Sequence, residues 1–144
     1  MTRKTGLKLV ITSDPKKRFV DAVLYKKDVK IANVTFWIDE LTITVEDLNT
    51  ESSYRRCGYS RLLMNVVFGF AEFFDKPVLL YSVTDALPFY EKIGFISMTK
   101  PEMKKRIITM NKNPKLMVYE WGNQDLIWLP KKFRDKRRKI RVYG

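Results

Sequence analysis

Histidine is absent from the 144 residues, and cysteine occurs once, as Cys57. The first absence excludes His-based triads, His metal sites and a His general base. A single cysteine can close no internal disulfide, which fits a reducing, cytoplasmic setting. Acids are outnumbered: 16 Asp and Glu face 28 Lys and Arg, for a formal net charge of +12. No apolar run approaches the ~18 residues that a membrane span needs. The opening stretch Met1-Thr2-Arg3-Lys4-Thr5-Gly6 lacks the apolar core of a secretory signal and passes directly into a strand-like pattern. No internal repeat and no Pro/Gly/Ser-rich linker interrupts residues 1–125.

What is present suits one globular domain. A chain of this size buries roughly 68–70% of its extended surface, enough for a core, and 45% of its residues are apolar. The charge is unevenly spread. Residues 131–144 hold eight bases, among them Lys136, Arg137, Arg138 and Lys139, against one acid, Asp135. A tail of this density is either a solvated solubility tag or a contact for RNA, ribosomes or another polyanion. The division expected is a domain over 1–125 followed by a basic extension over 126–144.

Hydrophobic periodicity orders the elements. Leu7–Thr12 reads as a strand stopped by Ser13-Asp14-Pro15. Phe19–Tyr25, Lys30–Ile38 and Leu41–Leu48 follow as strands. Ile31, Val34, Phe36 and Ile38 face inward on the third; Leu41, Ile43 and Val45 share a face of the fourth, with Thr42, Thr44 and Glu46 opposite. The period then changes. From Tyr59 to Phe74, Leu62, Leu63, Val66, Val67, Phe70, Phe73 and Phe74 recur at three and four, an amphipathic helix with a wide buried stripe, ended by Asp75-Lys76-Pro77. Val78–Val83 is an apolar strand of the kind covered on both faces. Thr84 or Asp85 is placed to cap a helix running to Ile93, with Gly94 as its C-terminal glycine. Phe95–Met98 starts another strand. Residues 99–115 are polar and basic, with Asn111, Asn113 and Pro114 breaking any helix. Leu116–Trp121 reads as a final strand, and Trp121–Pro130 is ambiguous. The expected fold is α/β (α+β): a mixed, mostly antiparallel sheet with helices packed on it, in the order ββββ-α-β-α-β-β.

Two segments carry chemistry. In Arg55-Arg56-Cys57-Gly58-Tyr59-Ser60, a strand ends near Thr50 and a helix begins near Gly58. The amides from Cys57 to Arg61 then sit at a helix N-terminus, unpaired by the helix and favourable to an anion. Gly58 lets the backbone approach a phosphate, the arginines add charge-assisted donors, and Ser60 keeps the approach open. The same spacing also describes a helix that merely begins after a turn. About thirty residues on, Ala86-Leu87-Pro88-Phe89-Tyr90-Glu91-Lys92-Ile93-Gly94-Phe95 puts a tyrosine on a short helix ending at a glycine, directly after an apolar strand.

Together these segments, with Val45–Thr50 upstream, resemble the coenzyme A site of the GNAT superfamily of N-acetyltransferases over roughly residues 40–98. The resemblance implies a reaction and its residues. Acetyl-CoA would be the co-substrate, with no metal, and a primary amine the acceptor. Backbone groups of Leu48, Asn49 and Thr50 would pair with pantetheine as if it were an added strand. Arg55, Arg56, Cys57, Gly58, Tyr59, Ser60 and Arg61 would hold the pyrophosphate. Phe89 would pack on the cofactor. Asp85 stands where the family often has asparagine on the pantetheine arm; the alternative role for it is a helix cap. Tyr90 would protonate the departing thiolate, since a phenol near pKa 10 is a neutral donor at pH 7. The family's strand-four glutamate is matched in place by Thr44; Glu46, one step along on the same face, is the candidate base, beside Glu40, Asp47 and ordered water. Cys57 lies among amides facing the diphosphate, away from the acetyl group, which argues against an acyl-cysteine.

The residues do not name the acceptor. A strongly basic enzyme repels polyamines and histone-like tails and attracts RNA, ribosomes or acidic proteins. That raises an aminoacyl-tRNA or a ribosome-associated protein amine, beside other protein lysines and N-termini. The longer helical pair that many family members carry between the first two strands is missing, which leaves the acceptor side open to a macromolecule. The alternative is an inactive module that binds nucleic acid or ribosomes through residues 99–115 and 131–144, with Phe133 and Tyr143 stacking on bases.

Overall fold

The computed structural model describes residues 6–14, 16, 18–82, 84–111 and 125–133. Strands β1 (Leu7–Asp14), β2 (Phe19–Lys26), β3 (Val29–Ile38) and β4 (Ile43–Thr50) form an antiparallel meander. Helix α1 (Tyr59–Phe74) follows, then β5 (Val78–Leu80), helix α2 (Leu87–Lys92), β6 (Ile96–Ser97), helix α3 (Lys100–Asn111) and β7 (Leu126–Trp128). The seven strands make one sheet in the order β1-β2-β3-β4-β5-β7-β6. Among the described strands only β4 and β5 pair in parallel. The expected order recurs, with one further helix between the last two strands. Only residues 15–18 separate β1 from β2, so the short N-terminal connection read from the sequence is present. No helix among the described residues is long and apolar enough to cross a membrane.

The sheet has a core on each face. On one, α1 sets Leu63, Met64, Val67 and Ala71 against Val20, Ala22, Leu24, Val34, Phe36, Ile43 and Val45. On the other, α3 sets Met103 and Ile107, one turn apart and fully buried, against Leu41, Leu79, Ile127 and Leu129. β5 supplies Val78 and Leu80 to the first core and Leu79 to the second. That explains why it reads as continuously apolar.

Several expectations are corrected. The buried stripe of α1 is narrower than its apolar pattern. Leu62, Phe73 and Phe74 are exposed, Phe73 by 81%. At about 100° per residue, Leu62 and Phe73 fall to one side of the line through Leu63, Val67 and Ala71, and Phe74 lies in the helix's last turn. Leu41 precedes β4 and enters the α3 core, so it does not share a face with Ile43 and Val45. A turn in which the Asp39 amide donates to the Thr42 carbonyl at 2.8 Å sets the break. β5 stops at Leu80 rather than Val83. Neither Thr84 nor Asp85 caps α2. Both belong to a 3₁₀ turn, Thr84–Ala86, and the cap is Ala86 with Pro88 in the first turn.

The segment 99–115 holds a helix where breakers argued against one. α3 covers Lys100–Asn111, so Asn111 lies within it, while Asn113 and Pro114 fall outside the described residues. Its start is a capping box that the sequence spells as Thr99-Lys100-Pro101-Glu102. The Thr99 hydroxyl donates to Glu102 Oε1 at 2.8 Å and accepts the Glu102 amide at 3.4 Å, while the Thr99 amide reaches Glu102 Oε1 at 3.3 Å. These bonds hold the Glu102 carboxyl below its ordinary value. Thr99→Ala is expected to cost about 1 kcal/mol, read as a shift in the urea midpoint at unchanged slope. The expected strand Leu116–Trp121 lies outside the described residues. The ambiguous stretch after it contains β7, which inserts between β5 and β6 beyond position 125.

Candidate active site

Sheet pairing alone opens a gap. β4 is joined to β5 by two register pairs, Ile43↔Val78 and Thr44↔Leu79. On its other edge it stays paired to β3 as far as Thr50. From Val45 to Thr50 the edge of β4 that faces β5 therefore has no strand beside it among the described residues. Such an edge offers alternating amides and carbonyls to an extended ligand. A bulge starts the divergence. Thr35 pairs with Asp47 and Phe36 with Val45, so Glu46 is the unpaired residue between them. The far end of β5 is pinned to the chain before β7. Asp125 donates its amide to the Leu80 carbonyl at 3.1 Å, and its carboxylate accepts the Ser82 amide at 3.2 Å.

The open edge leads to the start of α1. Thr50 Oγ1 and Ser60 Oγ lie 2.8 Å apart, and Arg55 Nε donates to the Thr50 carbonyl at 3.4 Å. Strand end, loop and helix N-terminus are thus brought together, as the sequence spacing led us to expect. Gly58 is the N-cap with φ +83°, and no side chain caps the turn. The first helical bond runs from the Leu62 amide to the Gly58 carbonyl at 3.1 Å. No acid lies in the first turn, while Arg55, Arg56 and Arg61 surround it. Arg56 also holds positive φ, +64°, a strained state for a side-chain-bearing residue. A Cβ placed on Gly58 would meet nothing within 4 Å, so the backbone there faces open space. Exposed amides, a dipole end, flanking cations and an open approach fit a diphosphate. Cys57 is exposed in this loop, its thiol 3.7 Å from the Arg55 carbonyl.

Tyr90 is held by the helix end that the glycine makes. The Phe95 amide donates to the Tyr90 carbonyl at 3.0 Å and the Gly94 amide to the Glu91 carbonyl at 3.1 Å. Gly94 has φ +108°. This is a Schellman motif with its customary apolar contact: the Tyr90 and Phe95 rings are 5.6 Å apart at 77°. The spacing Tyr-x-x-x-Gly-Phe is therefore the spacing of the motif itself. A Cβ at Gly94 would lie 3.2 Å from Trp128 Nε1. Gly94→Ala is expected to destabilise by about 2–4 kcal/mol, from backbone strain and crowding of Trp128, seen as a lowered Tm.

Burial raises the Tyr90 phenol above its ordinary value, and its hydroxyl has no hydrogen-bond partner among the described residues. Tyr90, Phe89, Leu48 and Tyr59 all pack against the α1-side core. Asp85 is exposed in the 3₁₀ turn before α2.

Glu46 sits on the opposite face of the sheet, since its neighbour Val45 points into the α1 core. Trp37 Nε1 donates to Glu46 Oε2 at 2.9 Å, and Trp37 is tilted against Phe19 at 4.7 Å. Thr44 donates to Asp39 Oδ2 at 3.1 Å. Across the sheet beside the bulge runs the row Asp21, Thr35, Asp47. Asp21 Oδ1 and Thr35 Oγ1 are buried there without a partner among the described residues. Trp37 and Asp125 were not anticipated. Nothing in the sequence marks Trp37 as the partner of a residue nine positions on, and the Asp125 contact depends on β7.

No protein-family model and no curated protein sequence matches the chain. Solved structures do match. A GNAT-family acetyltransferase of Staphylococcus aureus superposes with TM-score 0.59 at 11% identity, over 81% of this chain and 70% of that one. Escherichia coli ElaA gives 0.54 at 20% identity, over 81% and 68%. The ribosomal-protein-S18-alanine N-acetyltransferase of Escherichia coli gives 0.52 at 21% identity, over 58% and 56%. The fold of this chain is that of the GNAT acetyltransferases.

Proposed function

We propose that the protein transfers an acetyl group from acetyl-CoA to a primary amine, on a macromolecule. The observation that carries the reading is the continuous path from the unpaired β4 edge, Val45–Thr50, to the uncapped N-terminus of α1 at Gly58. An extended arm and a diphosphate are accommodated by the two halves of that path in turn. Bound acetyl-CoA supplies an activated thioester. The chain's own groups do the rest. Backbone groups of Leu48 and Thr50, which alternate away from β3, align the pantetheine arm with Asn49 between them, and the backbone at the splay polarises the carbonyl oxygen. The amides from Cys57 to Arg61, with Arg55 and Arg56, hold the pyrophosphate. Phe89 and Asp85 flank the arm. Tyr90, kept neutral by burial, donates its hydroxyl proton to the departing sulfur.

The acceptor arrives on the other face, where Glu46 takes a proton from the incoming ammonium. The exposed carboxylate of Asp47, next along the strand, offers a further acceptor for its remaining N–H groups. The short β1–β2 connection leaves that approach open, and the +12 charge favours a polyanionic carrier of the amine, such as aminoacyl-tRNA or a ribosomal protein in its RNA setting. One structural neighbour is by name an acetyltransferase of ribosomal protein S18. The basic residues 131–144 would serve the same attraction.

CoA release measured across aminoacyl-tRNA, ribosomal subunits, free lysine and spermidine tests the reading. Turnover on the first two, suppressed by added salt, is expected. Turnover on spermidine alone would overturn the macromolecular acceptor. No turnover together with RNA binding would favour the inactive, nucleic-acid-binding module.

A further inference from the structure

A second concave site lies at the far end of the molecule from Gly58. α1 has 16 residues and is about 24 Å long. Its last turn, with β2 and the end of β3, encloses a cleft of about 470 Å³, within the usual range for small-ligand sites. The floor is aromatic and aliphatic: Phe19, Ile38, Phe70 and Phe74. Phe74 remains 42% exposed although it lies alongside Phe70, at 6.5 Å between centroids. Its contacts with Phe70 and with Phe73, 4.9 Å away, leave part of the ring open to the cleft.

Two cations stand over this floor, Arg18 and Lys76. The Lys76 ammonium lies 5.6 Å from the Phe74 ring centre and donates to the Asp39 carbonyl at 2.5 Å. Two of its three N–H groups have no hydrogen-bond partner among the described residues. The Arg18 guanidinium has no hydrogen-bond or ion-pair partner among the described residues. Burial first, and the charge of Arg18 second, push the Lys76 ammonium below its ordinary value, partly offset by Asp39 and Glu40. The two cations thus act on each other across the cleft. Two acids also line it. Asp14 already accepts the Lys16 amide on Oδ1 at 3.0 Å. Glu40 supports the Lys76 charge, yet forms no ion pair with either cation among the described residues. Beside these two acids, the unpartnered Arg18 guanidinium and the remaining Lys76 N–H groups place donors above an apolar floor.

We infer that this cleft binds a small amphipathic carboxylate, its apolar body on Phe19, Phe70 and Phe74 and its carboxylate between Arg18 and Lys76. A carboxylate satisfies the planar guanidinium in a bidentate manner and relieves the repulsion between the two cations. The body covers the open ring of Phe74. The site shares none of the residues assigned to the acetyl donor.

The test is calorimetric titration of the full chain with 4-phenylbutyrate, 4-phenylbutanol and 4-phenylbutylamine, without acetyl-CoA. The carboxylate is expected to bind with 1:1 stoichiometry and at least about tenfold more tightly than the alcohol. Arg18→Gln and Lys76→Gln, both at the cleft's rim, should each weaken it by about tenfold and leave the alcohol unchanged. Equal or tighter binding of the amine would overturn the proposal, since Asp14 and Glu40 would then dominate. So would carboxylate binding that neither variant alters, or no binding of any probe. Acetyl-CoA is absent throughout, so the result stands apart from the transferase reading.

Discussion

Gly58→Glu is expected to weaken acetyl-CoA binding by at least about 100-fold, measured by titration calorimetry. Two effects combine. The residue at this N-cap holds φ +83°, a conformation that costs a side-chain-bearing residue roughly 1–2 kcal/mol. The added carboxylate then stands at the positive end of the α1 dipole, among amides offered to a diphosphate, and competes for them while repelling it. Gly58→Ala separates the two. A Cβ there meets nothing within 4 Å, so alanine introduces the strain alone. It should lower stability by about 1 kcal/mol and affinity by less than about tenfold. Equal losses in both variants would mean that backbone geometry, rather than charge, governs the loop.

Tyr90→Phe is expected to lower kcat by about 100-fold or more, within the usual range for loss of a general acid, with KM for acetyl-CoA changed less than about threefold. The split follows from the geometry. The ring keeps its contacts with Phe89 and Phe95, while the hydroxyl, which has no partner among the described residues, is removed. Tm should hold, since a half-buried hydroxyl with no partner contributes little to stability. The pH profile gives an independent sign. Burial raises the Tyr90 phenol above 10. The protonated donor therefore persists through the neutral and mildly alkaline range, and activity dependent on it is lost only as pH climbs through the raised value. For stability the sign is the same. The folded state holds this proton more tightly than the unfolded chain, so the contribution is complete below about 10 and is lost above. In Tyr90→Phe that alkaline limb should vanish from kcat.

Most of the scaffold was legible because its signals are local. α1 runs from Tyr59 to Phe74 as its period and the Asp75-Lys76-Pro77 stop indicated. The Tyr90–Phe95 segment could be read because a Schellman motif is written in neighbouring residues. Thr99-x-x-Glu102 was equally local but went unread, because the segment was judged on its polar composition and on Asn111, Asn113 and Pro114, of which Asn111 lies within the helix. Other features depend on distant partners. The exposure of Leu62 and Phe73 depends on how far the sheet reaches under α1. The bulge at Glu46 appears only when β3 and β4 are in register, and it turns an alternating strand into one whose later residues, Leu48 and Thr50, change face. The insertion of β7 between β5 and β6 is a non-local choice that periodicity over three residues cannot express. The hold of Trp37 on Glu46 belongs to the same class.

An amide chemical-shift map recorded as acetyl-CoA is added to the labelled protein tests the central claim most directly. The account predicts saturable shifts, in the micromolar to millimolar range usual for such co-substrates, confined to Val45–Thr50, the loop and first turn from Arg55 to Arg61, and the neighbourhood of Tyr90. Shifts that leave the Gly58 turn untouched and gather elsewhere, or no shifts at millimolar acetyl-CoA, would contradict it.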